Sequence, residues 1–321
     1  MLLELDNLTK TYRRGARAND GITLAVERGE VFGLLGHNGA GKTTLVNQIV
    51  GLLRPDAGTI VLDGRDVLED PGFARRACSL QPQSQVPISG LTPRQAIELI
   101  GRLRGSDREM VDGRTAHLID ALDIGEWVDT DGERLSGGVK RLTSFAMAAV
   151  APGRLVILDE PTNDVDPVRR RLLWTQVRAL ADEGVAVLLV THNVLEAERS
   201  VDRLAILDRG RVLAEGTPAT LKSTVAAELR LELVTEPGAD VGEAPPFVHR
   251  LVGSGGRRIA SITRESAADA VTWAESLQAA GRVEEFGLAP ATLEDVYVEL
   301  VGGAGDARAS EEGETVDARA A

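Results

Sequence analysis

The chain has 321 residues, of which 36 are basic and 49 acidic, giving a formal net charge of −13. This acidic balance argues against a surface that coats nucleic acid, because neutralising phosphates requires a basic stripe. Cys78 is the single cysteine, which excludes an internal disulfide framework. The sequence contains neither an apolar run of about 18–20 residues nor a basic, apolar leader, so we expect a cytoplasmic protein.

The first predicted elements are two strands that surround a glycine-rich loop. Apolar runs at 22–26 and 31–35 flank a short turn, and helical periodicity follows from Leu45 to Leu52. The loop between the second strand and this helix has the form G-x-x-x-x-G-K-T and reads Gly36-His37-Asn38-Gly39-Ala40-Gly41-Lys42-Thr43. Such a loop turns its backbone N–H groups towards phosphate oxygens at a helix N-terminus. It predicts a nucleotide phosphate site, with Lys42 on the β- and γ-phosphates and the Thr43 hydroxyl on Mg²⁺.

The middle of the chain alternates predicted helices and buried strands. A capping box at 92–95 with Pro93 opens a helix through about 103, and a second helix is predicted over 108–122. Unbroken apolar runs at 155–158 and 185–190 are typical of strands buried in a parallel sheet, with a crossover helix predicted over 167–181. This alternation predicts an α/β core.

Two carboxylates follow the strand predicted at 155–158. Side chains alternate along a strand, so Asp159 and Glu160 need not share a role. We expect Asp159 to hold Mg²⁺ and Glu160 to act as the general base that polarises the attacking water.

The predicted elements of the last third of the chain differ from those of the first two thirds. Strands are predicted at 229–234 and 257–263, and helices after Pro218, over 266–280 and from Thr292. We expect a nucleotide-binding domain over 2–216, a small α+β domain over 217–301 and a disordered acidic tail over 302–321.

A further motif makes the resemblance to a family specific. Leu135-Ser136-Gly137-Gly138 ends 21 residues before Asp159. In this order, between a phosphate loop and a strand ending in Asp-Glu, it resembles the signature motif of ABC-type ATPases. The resemblance implies a P-loop NTPase cassette, with a mixed-sheet core and a helical subdomain, that binds ATP and Mg²⁺.

Other positions match the family residue by residue. Tyr12 resembles the aromatic that stacks on adenine, and His192 resembles the switch histidine. Gln83 resembles the glutamine that touches metal and water, although Gln81 is close enough to be confused with it. The resemblance implies a catalytic set of Glu160, His192 and Gln83 and a metal set of Thr43, Gln83 and Asp159. The implied ATP-binding set is Tyr12, Gly36, His37, Asn38, Gly39, Ala40, Gly41, Lys42, Thr43, Thr44, Ser136, Gly137, Gly138 and Asp166.

Three positions depart from the usual pattern of the family. Val139 follows the signature glycines where a polar residue is common, and Asp164 and Val165 replace the usual glycine and leucine of the D-loop. We expect nucleotide binding to survive these changes, because no metal ligand and no base is lost. The extra carboxylate of Asp164 is expected to affect turnover or the communication between sites.

The end of the second domain narrows the resemblance. Residues 291–300 resemble the closing motif of drug-exporter ATPases of the daunorubicin-resistance type, which pair with a separate membrane subunit. One phosphate loop and one signature in a chain imply a head-to-tail homodimer at the cytoplasmic face of the plasma membrane, with no nucleic-acid partner. The predicted function is ATP hydrolysis for export of a hydrophobic drug or natural product.

Alternative functions use the same ATPase core. An importer ATPase has the same residues and differs in its membrane partner. A translation factor of the superfamily would carry two cassettes, and a DNA-repair or chromosome-organising ATPase would carry a long coiled coil. A catalytically idle cassette is disfavoured by the intact Lys42, Asp159, Glu160 and His192.

Overall fold

The computed structural model describes residues 1–13, 15–223, 229–236 and 241–301. The chain divides into two compact units, Met1–Thr217 and Pro218–Ala321. The proposed acidic tail, 302–321, lies outside the described residues. Within the described residues, the helices are all too short or too polar to cross a bilayer.

Among the described residues, the first unit has ten strands in two sheets. The strands are β1 (Leu3–Thr11), β2 (Arg17–Val26), β3 (Val31–Leu35), β4 (Ala57–Leu62), β5 (Arg65–Asp66), β6 (Cys78–Gln81), β7 (Leu155–Asp159), β8 (Ala186–Thr191), β9 (Arg203–Asp208) and β10 (Arg211–Gly216). One sheet is antiparallel, with the order β2-β1-β4-β5. The other has the order β10-β9-β3-β8-β7-β6 and is parallel except for β10. The parallel strands bring their carboxyl ends, and the loops that follow them, to one edge.

The described part of the first unit also has seven α-helices. They are α1 (Lys42–Ile49), α2 (Pro71–Ala77), α3 (Pro93–Leu103), α4 (Arg108–Ala121), α5 (Gly137–Ala149), α6 (Pro167–Asp182) and α7 (Val194–Ser200). The predicted capping box of α3 is confirmed: the Thr92 hydroxyl accepts from the amide of Gln95 at 3.3 Å, and the Gln95 side chain accepts from the amide of Thr92 at 3.0 Å. Helices α3, α4 and α5 contact one another and form a helical subdomain.

The core of the first unit joins both sheets. Every residue of β3, β7 and β8 is buried, which explains their unbroken apolar runs. The inward side chains of β1 and β4 pack in the same apolar cluster as Leu45 and Ile49 of α1. Helix α1 is therefore fixed by hydrophobic burial on one side, which holds its N-terminus against the end of β3. The predicted α/β fold is confirmed.

Cys78 begins β6 and is buried in this core. Burial raises the pKa of its thiol to about 12. The side chain therefore acts as a small apolar group of the core.

The second unit is an α+β arrangement. Its elements are α8 (Pro218–Lys222), β11 (Leu229–Val234), β12 (Arg250–Ser254), β13 (Arg257–Ile262), α9 (Ala267–Ala279), β14 (Glu285–Pro290) and a last helix over 293–301. The strands form an antiparallel sheet in the order β12-β13-β11-β14. Leu231, Leu233 and Ile262 of this sheet pack with Ala274 and Leu277 of α9 in a core of their own.

Candidate nucleotide-binding site

The loop between β3 and α1 has the backbone of a phosphate cradle. Gly41 precedes α1 with φ 109°, and a Cβ at this position would lie 2.2 Å from the carbonyl oxygen of Ala18. Glycine is therefore the residue that fits here. The first residues of α1, Lys42, Thr43 and Thr44, line the cleft, where a helix N-terminus favours a negatively charged ligand.

Lys42 is fixed over this loop. Its ammonium group is buried and donates to the carbonyl oxygens of Gly36 and His37, the second at 3.1 Å. Burial lowers the pKa of Lys42, whereas Glu160 and Asp159 act in the opposite direction. The cation is thus held at the loop and faces two acids.

The loop and the ends of β6 and β7 enclose one cleft. Most of the residues predicted to bind phosphate, metal or water meet there. Its lining is Ala18, His37, Asn38, Gly39, Gly41, Lys42, Thr43, Thr44, Gln83, Asp159 and Glu160. Gly36 and Ala40 belong to the same loop but are buried and do not line the cleft. A Cβ at Gly36 would meet the carbonyl oxygen of Leu207 at 2.4 Å.

Asp159 brings a buried acid to the cleft. It is the last residue of β7 and is 7 % exposed. Burial raises the pKa of Asp159 to about 6, and the neighbouring Glu160 adds to this, while Lys42 and Arg141 lower it. Asp159, the Thr43 hydroxyl and the Gln83 amide form a set of hard oxygen donors, which is the chemistry that Mg²⁺ prefers.

Glu160 is held by the last residue of β8 and by the residue that follows it. One carboxylate oxygen accepts from the hydroxyl of Thr191 at 3.1 Å. The other accepts from the amide of His192 at 2.9 Å and lies 2.5 Å from Nδ1 of the same residue. Glu160 is 3 % exposed and has a left-handed backbone with φ 51°. These contacts fix the orientation of the carboxylate and bring His192 beside it, although His192 is not part of the cleft lining.

Tyr12 lies at the rim of the loop. Its hydroxyl is 3.3 Å from the hydroxyl of Thr44, and the residue is 45 % exposed. The contact positions an aromatic ring next to the residues that begin α1. An exposed face of this kind is available for stacking with a base.

The two candidate glutamines have different surroundings. Gln83 lines the cleft. Gln81 is fully buried at the end of β6, where its amide donates to the carbonyl oxygen of Arg141 at 3.1 Å. The structure therefore places Gln83 at the cleft and Gln81 in the core behind it.

The signature residues lie outside the cleft lining of their own chain. Ser136 caps α5, and its hydroxyl accepts from the amide of Val139 at 3.3 Å. Gly137 and Gly138 form the first turn of α5 beside Asp164, where a Cβ at Gly138 would lie 2.5 Å from the carbonyl oxygen of Asp164. The N-terminus of α5 is thus a second candidate anion site, separate from the phosphate loop.

Asp166 also lies outside the cleft lining. Its carboxylate caps α6, accepting from the amides of Val168 and Arg169 at 3.0 Å each. The hydrogen bond from the Arg169 amide and the nearby guanidinium of the same residue lower the pKa of Asp166.

His37 uses both its backbone and its side chain. Its carbonyl oxygen accepts from Lys42, while its Nε2 lies 2.7 Å from the buried carboxylate of Asp208, at the end of β9. The side chain thus ties the phosphate loop to the neighbouring strand, a contact that the sequence did not predict.

Three residues around the cleft were missed by the sequence analysis. Ala18 lines it, Thr191 holds Glu160, and Arg141 donates to the backbone of residues 82 and 83. Thr191 directly precedes the predicted His192, so its position was a usable signal. Ala18 and Arg141 carry no local signal, because each reaches the cleft only through the tertiary fold.

Comparison with known proteins agrees with this geometry. Residues 19–163 match the family described as ABC transporter. The daunorubicin/doxorubicin resistance ATP-binding protein DrrA of Streptomyces peucetius is 37 % identical over 316 residues, covering 97 % of this chain and 95 % of the relative. The chain belongs to the ABC transporter ATP-binding proteins. The Nod factor export ATP-binding protein I of Paraburkholderia xenovorans (strain LB400) is 33 % identical over 304 residues, covering 94 % of this ABC protein and 97 % of the relative.

Solved structures agree with this assignment. An ATP-binding subunit of an ABC transporter superposes with a TM-score of 0.65 at 29 % identity, covering 70 % of this chain and 93 % of the other. A dimeric ATP-binding cassette in a post-hydrolysis state with ADP and Pi superposes with a TM-score of 0.62 at 24 % identity, covering 67 % and 98 %. The ABC protein described here is therefore an ATP-binding subunit with the fold of the ATP-hydrolysing cassettes.

Proposed function

We propose that this ABC ATPase binds and hydrolyses Mg-ATP as a head-to-tail homodimer and drives export through a separate membrane subunit. The observation that carries the proposal is the separation of two complementary half-sites in one chain. Lys42, Asp159 and Glu160 meet in one cleft, whereas Ser136 caps a helix outside that cleft. A second copy, related by a two-fold axis, would supply the missing helix end to each cleft.

The phosphate loop would bind the triphosphate of ATP. Its backbone amides and Lys42 would bind the β- and γ-phosphates, and the exposed ring of Tyr12 would stack on adenine. Thr43, Gln83 and Asp159 would hold Mg²⁺, which neutralises charge on the phosphates when it is bound. Ser136 and the amides of Gly137 and Gly138 would bind the γ-phosphate on the cleft of the partner.

Glu160 would act as the general base. Its carboxylate would accept a proton from a water molecule as the water oxygen forms a bond to the γ-phosphorus. The bond between that phosphorus and the oxygen of the β-phosphate breaks, leaving ADP and inorganic phosphate. His192 and Thr191 hold the carboxylate in one orientation during this step, since both donate to it.

Hydrolysis would open the dimer. While ATP is intact, the γ-phosphate is an anchor shared by the loop of one copy and the signature residues of the other. Cleavage removes the anchor, so ATP and ADP bind the closed and open arrangements with different free energies. The segment from Gln83 to α3 would carry the motion to a membrane subunit, and this chain would then lie at the cytoplasmic face of the plasma membrane.

The relatives favour export as the direction of transport. Two of them are named for daunorubicin/doxorubicin resistance and for Nod factor export, and each aligns along nearly the whole chain. The second unit is included in these alignments, and its closing helix over 293–301 begins with reciprocal bonds between Thr292 and Asp295. A hydrophobic drug or natural product is the cargo class that we propose.

The replacement Glu160→Gln tests the catalytic part of this proposal. We expect the variant to bind ATP but to lose about 10²–10⁴-fold in turnover, because the amide cannot take the proton. With saturating Mg-ATP it should accumulate as a dimer, measured by light scattering after size-exclusion chromatography. Hydrolysis at the parental rate would rule out Glu160 as the base, and a strictly monomeric variant would rule out the shared site.

The replacement Lys42→Ala is the control for this experiment. It leaves Glu160 and the signature residues intact but removes the cation from the loop. We expect it to lose nucleotide binding, measured with a fluorescent ATP analogue, and to remain monomeric with Mg-ATP. Unchanged affinity would contradict the phosphate-loop assignment.

A further inference from the structure

We propose that Arg141 is a positioning residue that couples the signature helix α5 to the glutamine segment, residues 81–83, and thereby sets the place of Gln83 in the cleft. The inference rests on the proposed function, because it assigns a role to a residue that supports the same reaction. It adds a connection between two parts of the site that the reaction requires to act together.

The guanidinium group of Arg141 holds the backbone of the glutamine segment directly. It lies on α5 and is 5 % exposed. Nη1 donates to the carbonyl oxygen of Pro82 at 2.8 Å, and Nη2 donates to the carbonyl oxygen of Gln83 at 2.7 Å. A planar fork that binds two consecutive carbonyls fixes both the position and the orientation of that peptide.

The contact is reciprocal. The side chain of Gln81, which is fully buried, donates to the carbonyl oxygen of Arg141 at 3.1 Å. Three hydrogen bonds therefore join the end of β6 and the residues after it to α5, two donated by Arg141 and one donated by Gln81. Movement of either element would break bonds on both sides of the contact.

The positive charge of Arg141 also interacts with the acids of the cleft. Its interaction with the carboxylates of Asp164, Asp159 and Glu160 favours the charged form, whereas burial lowers its pKa. A buried cation is costly unless nearby groups compensate it, and an apolar side chain would fill the same space at less cost. The position of Arg141 therefore fits a requirement for its hydrogen bonds and charge.

Gln83 is the residue on which this contact acts. Gln83 lines the cleft with Thr43 and Asp159, and its carbonyl oxygen is held by Arg141. Loss of the guanidinium would release this backbone and widen the range of positions of the Gln83 amide. The loss should weaken the response to Mg²⁺ and the rate of hydrolysis more than the affinity for ATP, which depends on the phosphate loop.

Arg104 provides a matched control. Its guanidinium is also partly buried and donates to three backbone carbonyls, those of Ala151, Cys78 and Arg76, at 2.6, 3.0 and 2.9 Å. Burial lowers the pKa of Arg104 as it lowers that of Arg141. Arg104 contacts the residues after the C-terminal end of α5, whereas Arg141 lies near the N-terminal end. Replacing Arg104 removes a similar set of bonds without touching the glutamine segment.

The experiment compares Arg141→Met, Arg141→Lys and Arg104→Met. ATPase rates are measured against Mg²⁺ concentration at saturating ATP, and ATP affinity is measured with a fluorescent analogue. We expect Arg141→Met to lower kcat at least tenfold and to raise the half-maximal Mg²⁺ concentration at least threefold, with ATP affinity changed less than threefold. Arg141→Lys, which keeps the charge but not the fork, should fall between Met and the parent. Arg104→Met should lower Tm and leave the Mg²⁺ dependence unchanged.

Two further measurements separate positioning from loss of structure. Guanidinium ion at millimolar concentration should restore part of the activity of Arg141→Ala and none of that of Gln83→Ala. The effects of Arg141→Met and Gln83→Ala on kcat should be less than additive in the double variant, because both act through one amide.

Several outcomes would overturn the inference. An unchanged Mg²⁺ dependence in Arg141→Met would do so, and so would additive effects of Arg141→Met and Gln83→Ala. If Arg141→Met does not fold, a parental Mg²⁺ dependence in Arg141→Lys decides against it. If one of these results is obtained and Glu160→Gln is inactive, the inference fails and the proposed function stands. A fully active Glu160→Gln would overturn the proposed function itself.

Discussion

Two adjacent acids of the cleft have opposite surroundings. Glu160 accepts hydrogen bonds from Thr191 and His192, which satisfy its carboxylate. Asp159 is buried beside that carboxylate, and its pKa is raised to about 6. The free chain therefore carries an acid that is destabilising when ionised, and a cation bound in the cleft would relieve this cost.

This difference predicts that Asp159→Asn stabilises the nucleotide-free chain. The pKa of Asp159 in the folded chain, about 6, lies above the ordinary value of about 3.9, so the folded state binds the proton more tightly. Ionisation of Asp159 therefore lowers the free energy of unfolding. This loss is absent below about pH 4, grows as the pH rises to about 6 and is complete at higher pH. We expect the variant to be up to about 3 kcal/mol more stable at pH 8, since each pKa unit is worth about 1.4 kcal/mol, and no more stable near pH 4. Thermal unfolding in Mg²⁺-free buffer from pH 4 to 8 measures the difference, and equal stability at pH 8 would contradict it.

For Asp166 we expect ionisation to have the opposite effect on the free energy of unfolding. Hydrogen bonds from the first turn of α6 lower its pKa, so its ionised form stabilises the fold at neutral pH. We expect Asp166→Ala to lose about 1 kcal/mol at pH 7, the usual cost of an N-terminal cap, measured by denaturant unfolding. A variant as stable as the parent would show that the cap contributes nothing.

The sequence located the residues whose role depends on local order and missed those that depend on distant contacts. Lys42 and Glu160 could be placed because a loop or a strand next to them carries the signal. Arg141 and its carbonyl partners are 58 and 59 positions apart, so no local pattern connects them. The pairing of His37 with Asp208 spans 171 positions and was missed for the same reason.

At the scale of elements, the first turn of α5 is built for close approach. Its two glycines pack against the segment that carries Asp164, which has a left-handed backbone with φ 65°. A Cβ at Gly138 would lie 2.5 Å from the carbonyl oxygen of Asp164, but one at Gly137 would meet side-chain atoms at 3.2 Å and beyond. A Cβ at Gly138 would therefore force the backbone to move, whereas a Cβ at Gly137 could be accommodated by movement of side chains.

Two alanine variants test this difference. We expect Gly138→Ala to destabilise the chain by about 1–3 kcal/mol, because the backbone of α5 or of Asp164 must shift. Gly137→Ala should cost less, since the side chain of Asp164 can rotate away. Urea unfolding of both variants measures the order, and a greater loss for Gly137→Ala would contradict the packing.

Elements were predictable where burial or capping gave a clear pattern. Strands β3, β7 and β8 read as unbroken apolar runs because they are covered on both faces, and the capping box marked α3. Strand β1 was not predicted. It contains Asn7 with φ 50°, and its pairing with β2 has register shifts, so its apolar residues do not alternate cleanly. Edge strands β12 and β14 are partly exposed and also lacked a clear pattern.

At the scale of the whole molecule, each unit has its own apolar core. Residues 217–321 include 9 basic and 18 acidic side chains and so carry most of the net charge of −13. The change of composition after Gly216 therefore supports the proposed domain organisation. The topology of the second unit could not be predicted, because long-range antiparallel pairing decides it.

The separate cores predict that residues 1–217 fold alone. A unit with a complete core and its own hydrogen-bonded sheets should need no other part of the chain to reach its native state. We expect the fragment to unfold in one cooperative transition and to bind a fluorescent ATP analogue within about threefold of the full chain. Lys42→Ala in the fragment is the control for binding at the loop. An insoluble fragment, or one without affinity for the analogue, would show that the units depend on each other.

The burial of Cys78 has a practical consequence for observing turnover. The thiolate is the species that reacts with maleimides, and a thiol with a pKa of about 12 in the core of the sheet gives almost none at neutral pH. The native chain is thus an unreactive background for labelling. A single cysteine introduced at an exposed position such as Leu103, which is 73 % exposed, would carry a fluorophore or spin label on its own. The separation of two such labels could then report directly on association and release of the protomers during each ATPase cycle.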